Sequence, residues 1–270
     1  MRQYGEPEHS SDDPTARDRN LWNLDFQNAI AWGPTARLAL FASIAPDYRF
    51  MSENTSLGRV TRSASGFEDT LLFARYTLYA LDSLGQTLRI DPLAGFYLPT
   101  GWYNKSDSQG RLPPELQNGS GSVDPYFGVT TMWKSFYNEI DWDLTYRWNP
   151  SPSSGFQEGD AFHTDFAYYR EVYPWPLADL GVPSQLWIGV ESNVIWNGKD
   201  RIAASIDDAT GGSVWCVDPG LFWGTPFWST GAAIQLPVVQ DLYGTDRLKA
   251  GWRLFVYFEY YLMMPSLHFG

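Results

Sequence analysis

The chain has 270 residues, a formal net charge of −12 and an isoelectric point near 4.6, which excludes nucleic acid as a partner because phosphate binding needs a basic face. It is 17% aromatic, its mean hydropathy is −0.31, and it has no apolar run of about 18 residues; that excludes a transmembrane helix but not a barrel, whose lumen-facing positions dilute every hydropathy window. Its single cysteine, Cys216, excludes an internal disulfide framework and a CxxC metal site.

Residues 1–19 are polar, acidic and rich in turn formers, and read as an N-terminal arm or an extracellular loop. Met1-Arg-Gln-Tyr-Gly-Glu-Pro7 has no apolar h-region, so an exported chain is expected to be mature or truncated here. Residues 20–264 then carry period-2 segments, the signature of strands. Asn20–Trp32 sets Trp22, Leu24, Phe26 and Ile30 against Asn23, Asp25 and Gln27, with Trp32 at its end. After the turn Gly33-Pro-Thr35, Ala36–Phe50 sets Leu38, Leu40, Ala42, Ile44 and Tyr48 against Arg37, Ser43 and Asp47. Gly58–Gly66 reads as a Ser/Arg-rich loop. Phe67–Leu81 opposes Leu72, Ala74, Tyr76 and Leu78 to Asp69, Arg75, Thr77 and Tyr79, and Thr87–Pro99 opposes Leu88, Ile90 and Phe96 to Arg89, Asp91 and Tyr97.

Thr100–Gly121 reads as a long loop. Ser122–Phe136 places Phe127, Val129 and Trp133 opposite Asp124, Tyr126 and Lys134. Asn138–Asn149 is the clearest stretch. One parity holds Ile140, Trp142, Leu144, Tyr146 and Trp148; the other holds Glu139, Asp141, Asp143, Thr145, Arg147 and Asn149. Beyond it, Ala161–Tyr173 carries His163, Asp165 and Tyr169 on its polar parity. Gln185–Lys199 carries Glu191, Asn193 and Asn197, opposite Ile188, Val190 and Trp196. Val214–Trp228, which holds Asp218 and Trp223, and Gly231–Leu242 form a close pair around Ser229-Thr230, and Ala250–Met263 sets Arg253, Tyr257 and Glu259 against Leu254, Val256 and Phe258. Residues 265–270 form a C-terminal tail.

A wholly apolar strand face beside a highly polar one fits a soluble sandwich or a transmembrane barrel. Short turns near 33, 84, 137 and 229 alternate with long loops near 58, 110, 155, 206 and 245, as in outer-membrane barrels. The polar parity favours Arg among its bases, which suits bidentate pairing inside a narrow barrel. The expectation is an all-β, transmembrane, antiparallel up-and-down β-barrel. About eleven strands are legible; even parity points to about 12, with 10 or 14 as alternatives and the first strand either within the arm or upstream of Met1. The lumen is expected to be lined by Arg37, Asp47, Asp69, Arg75, Arg89, Asp91, Asp124, Asp141, Asp143, Arg147, Asp165, Glu191, Asp218, Arg253 and Glu259, as a solute path or a self-satisfied charge ladder. Trp22, Trp32, Trp133, Trp142, Trp148, Trp196 and Trp223 are expected at the membrane interfaces.

Leu98-Pro-Thr-Gly101, Gly119-Ser-Gly-Ser-Val-Asp124, Asp218-Pro-Gly-Leu221 and Gln235-Leu-Pro-Val238 occur in this order on these segments. With Phe67-Glu-Asp-Thr-Leu-Leu-Phe-Ala-Arg-Tyr76, the series resembles the outer-membrane transporters named for the phenol-degradation MetA pathway, over about Thr35 to Leu262. The resemblance implies a porin-like channel of Gram-negative bacteria passing small hydrophobic or aromatic compounds. Two departures stand out: the first strand, and the run Met264–Gly270 beyond the last one.

No enzyme is expected. His9, His163 and His268 are the only histidines, and neither His-x-Asn-Gly nor Gly-x-Ser-x-Gly accompanies them. Asp141 and Asp143 are i,i+2 neighbours within the charge ladder rather than a glycosidase pair. No metal or cofactor motif is present. Three functions remain: a passive outer-membrane channel in contact with lipid and a small-molecule solute; a non-conducting barrel that sheathes a periplasmic partner such as an electron-transfer protein; and a secreted glycan-binding β-sandwich.

Overall fold

Alternation of apolar and polar residues forces a strand to show one greasy and one charged face, and such strands pair edge to edge. The computed structural model describes residues 2–4, 19–55, 58–150, 155–174, 184–203, 205–244 and 249–262. Among these, the strand pairings are antiparallel and the one helical element is the 3-10 turn Pro114–Leu116. The fold is therefore all-β.

One large sheet takes most strands in chain order: Gln86–Leu98, Asp124–Ser135, Asn138–Arg147, Ala161–Tyr173, Gln185–Asn197, Gly212–Gly224, Trp228–Leu242 and Ala250–Tyr260. Arg2–Tyr4, inside the expected arm, pairs with both Ala250–Tyr260 and Arg19–Asp25. The sheet order has two ends, Asn28–Trp32 and Gly58–Phe67. Arg19–Asp25 is followed closely by Asn28–Trp32, and both pair with the next segment, as Pro46–Thr55 and Leu38–Ile44 respectively. Gly58–Phe67, Thr70–Tyr76 and Tyr79–Ser83 follow one another in the same way. Phe67 and Leu72 lie on opposite parities yet are both exposed, so the break at Glu68-Asp69 flips the alternation, as a bulge does.

Several expectations are corrected. Gly58–Gly66, expected as a loop, belongs to the strand Gly58–Phe67, which pairs along Pro46–Thr55. Thr100–Gly121 contains a small hairpin, Ser106–Asp107 with Gly110–Arg111, and the 3-10 turn. Loops expected at 150–159 and 200–212 contribute Phe156–Gln157, Arg201–Ile202 and Ser205–Ile206 to a three-stranded sheet. Arg37 lies in the turn before Leu38–Ile44, is exposed, and borders neither of the two cavities described below. The tail 265–270 lies outside the described residues.

The two strand faces behave differently. Trp142 is 49% exposed and Ile188 48%, and Phe96, Phe127, Phe166, Val190 and Leu221 are exposed with them. A sandwich would bury those residues between its sheets; here that face is the outside. The opposite face turns inwards, and the buried cluster there is Leu21, Met51, Ala64, Leu112 and Leu116.

Candidate functional site

Two cavities lie on the inner face. The upper one, of about 630 Å³, is lined from the Arg19–Asp25, Pro46–Thr55 and Asn138–Arg147 strands and from the loops around 114–120, 158–159 and 198–211. The lower one, of about 930 Å³, is lined from the strands between Asp124–Ser135 and Ala250–Tyr260. His163 and Ile195 border both and mark the waist between them.

The 100–121 loop folds into the upper half. Leu116 is fully buried, and with Leu112 it packs on Leu21, Met51 and Ala64. Met51 and Leu21 are apolar residues on an inward parity because they meet a loop there rather than water. Arg49 forms the main latch. Its Nε donates to Asp47 Oδ2 at 2.6 Å, one terminal nitrogen to Glu68 Oε1 at 2.7 Å, and the other to the carbonyls of Gln117 at 2.7 Å and Glu115 at 3.3 Å. Asn118 Nδ2 donates to Asp47, and Arg19 reaches Glu115 Oε1 at 2.9 Å. Arg62 grips Asp107 with two 2.8 Å bonds. That charge-assisted pair holds the Asp107 carboxyl below its ordinary range.

Asp69 fastens the loop base. It accepts from Gly101 N at 2.9 Å, Ser120 N at 2.8 Å and Ser120 Oγ at 2.7 Å. A Cβ on Gly119 would lie 2.6 Å from Asp69 Oδ1 and 2.6 Å from the Gly101 carbonyl carbon. The glycines of Leu98–Gly101 and Gly119–Asp124 are thus where two backbone segments cross. Beside them, Arg147 pairs with Asp124, Nε to Oδ2 at 3.0 Å, and lies 4.2 Å from the centre of the Tyr97 ring.

Asp25, Asp47 and Glu68 bring carboxylate oxygens within 4.8 Å of one another. The Arg49 guanidinium already bonds two of the three, so an arginine meets the charge that a metal would.

The lower cavity has a different balance. Glu139, Asp141, Asp143, Asp165, Glu191, Asp218 and Glu259 line it, against Lys134 as the one Lys or Arg among the described residues of its lining. Asp143 stands directly across from Asp165 in the register, and Glu191 across from Asp218. Asp218 Oδ2 accepts from Asn193 at 2.7 Å and Gln235 at 2.8 Å, and Tyr169 donates to Glu191.

Of the expected lumen residues, Asp69, Arg147 and Arg253 line the upper cavity, and Asp141, Asp143, Asp165, Glu191, Asp218 and Glu259 the lower. Asp47 and Asp124 lie beneath the arginines they pair with. Arg75 pairs with Asp91 at 3.7 Å, and Arg89 turns to Asp82 with bonds of 2.7 and 2.9 Å. Trp32, Trp142, Trp148 and Trp196 are exposed, whereas Trp22, Trp133 and Trp223 are half-buried. Trp187 and Glu158 were not foreseen. The parity of Glu191 and Asn193 already places Trp187 inside; nothing in the sequence marks Glu158.

Asp200 belongs to the upper rim, where burial pushes its carboxyl up to about 6 although Gly159 N donates to it at 2.8 Å. A raised folded-state value means that this group favours the fold fully below about pH 4, the unfolded value, and that the contribution is lost as pH rises through about 6. Asp200→Asn is therefore expected to flatten the change in melting temperature between pH 4 and 6, read by scanning calorimetry. An unchanged profile would assign the pH dependence to other groups.

The sequence profile of the family described as "Putative MetA-pathway of phenol degradation" matches residues 16–248. No curated protein matches the chain. Among solved structures, an outer membrane channel from Pseudomonas putida F1 superposes with a TM-score of 0.56 at 17% identity, covering 91% of this chain and 85% of that one. At that identity the likeness bears on the fold.

Proposed function

The chain belongs to the MetA-pathway family of phenol degradation, and from that premise we propose that it is a channel of the bacterial outer membrane for passive uptake of small solutes, aromatic ones among them. The observation that carries this is the division of the faces: large apolar side chains stay exposed outside while charged ones line two cavities inside. Lipid is the solvent that such an outer face fits. If 19–32, 38–55 and 58–83 are each taken as one strand, the pairing order holds twelve strands, and Arg2–Tyr4, paired on both sides, joins the last to the second. That supports a 12-stranded barrel. The solved channel of the same fold supports the same location. No catalytic step is assigned.

The 100–121 loop, which buries Leu112 and Leu116 against the strands, favours a second reading, a non-conducting scaffold that docks a periplasmic protein. Planar bilayers separate the two. The channel reading expects stepwise conductance, with cations carrying most of it because the lower cavity is acidic. Silent bilayers, with no flux into liposomes, would leave the scaffold.

A further inference from the structure

We propose that the lower cavity is a binding site for an organic ammonium ion, a primary amine carried on an aromatic or otherwise apolar body. This deepens the channel reading, on which it rests only for the ligand's route of entry.

Three independent features converge. The first is an excess of acid. Asp143 faces Asp165 across one strand pair and Glu191 faces Asp218 across another, with no base between them in the register, and Arg75 and Arg253 offset Asp143 and Asp218 only in part. Like charges directly opposite repel, and a cation between them relieves the repulsion. The second is an aromatic wall. Phe222 meets Tyr169 edge-on at 5.0 Å and Tyr257 at 5.8 Å, so three linked rings face into the cavity. Ring faces attract cations and accept apolar bodies. The third is an ammonium already held there. Lys134 Nζ pairs with Glu139 and lies 4.4 Å from the centre of the Trp187 ring, so this wall already binds an amine by one carboxylate and one indole. The remaining carboxylates and rings repeat those ingredients with no further lysine among the described lining residues. Asp218 is only 3% exposed, and its Oδ1 is a buried acceptor with no partner while Oδ2 takes two amides.

At about 930 Å³ the cavity is at the upper end of small-molecule sites, with room for a one-ring amine and its waters. Benzoate would meet repulsion, and benzyl alcohol would gain only the rings.

Benzylammonium is the probe. Isothermal titration of the full chain in detergent, at fixed ionic strength, is expected to show it binding at least about tenfold more tightly than benzyl alcohol, with benzoate not binding. Asp143→Asn with Asp165→Asn, near-isosteric changes that remove a repulsion, should weaken benzylammonium about tenfold and leave benzyl alcohol unchanged. A heat-modifiability gel shows whether the double variant is folded; Glu191→Gln, expected to weaken the same probe, serves if it is not. Equal affinity for amine and alcohol, unaltered affinity in the variants, or potassium displacing the probe mole for mole would overturn the proposal. Titration needs no conduction, so silent bilayers with intact amine binding would refute the channel and leave this site standing.

Discussion

Arg49→Ala is expected to destabilise the upper half by about 3–5 kcal/mol and to raise single-channel conductance. The figure is that for removing one partner of a buried ion pair, which leaves an uncompensated charge behind. Here two carboxylates lose the same cation at once, although Asp47 keeps the Asn118 amide. The Asp47 side chain is fully buried and Glu68 is one-third exposed, so Asp47 carries most of the cost. Arg49 also holds the Gln117 and Glu115 carbonyls, so its loss loosens the loop segment that buries Leu116. Arg49→Lys is not expected to rescue, because a single ammonium cannot reproduce bonds that leave a planar fork in three directions. Urea melts give the stability, and trypsin cleavage at Lys105 or Arg111 reports release of the loop. Unchanged melts together with unchanged conductance would mean that Asp69 and Arg62 hold the loop without Arg49.

The alternation in Asn138–Arg147, Ala161–Tyr173 and Gln185–Asn197 was legible because these strands have one mostly apolar and one mostly polar face. Gly58–Phe67 was not. Its outward residues, Arg59, Thr61, Ser63 and Ser65, are polar, and its inward parity mixes Val60 and Ala64 with glycines and Arg62. Without contrast between faces, a period of two leaves no trace in hydropathy. The flip at Glu68-Asp69 hid the continuity of that strand with Thr70–Tyr76. The acids that border the lower cavity all sit on the polar parity, since a charged residue on an otherwise apolar strand has one place to go. The upper cavity was only half legible. Leu21 and Met51 break the polar parity for the sake of Leu112 and Leu116, residues about 50 to 100 positions away, and a contact of that span has no local signature.

Val190→Arg decides what the outer face touches. Val190 is exposed in the middle of Gln185–Asn197 and stands across from Tyr168 and Pro219. If that surface met water, arginine there would change stability by no more than about 0.5 kcal/mol, the usual range for exposed sites. If it meets acyl chains near the bilayer midplane, the same change costs about 2–4 kcal/mol, because the guanidinium gives up its hydration or drags water and headgroups inward. Reversible urea unfolding in phosphatidylcholine vesicles, followed by tryptophan fluorescence, measures the difference. The larger cost is expected. A change within the smaller range would remove the bilayer from the account of this face, and the channel reading would go with it, since a tunnel through a membrane needs walls that lie in one.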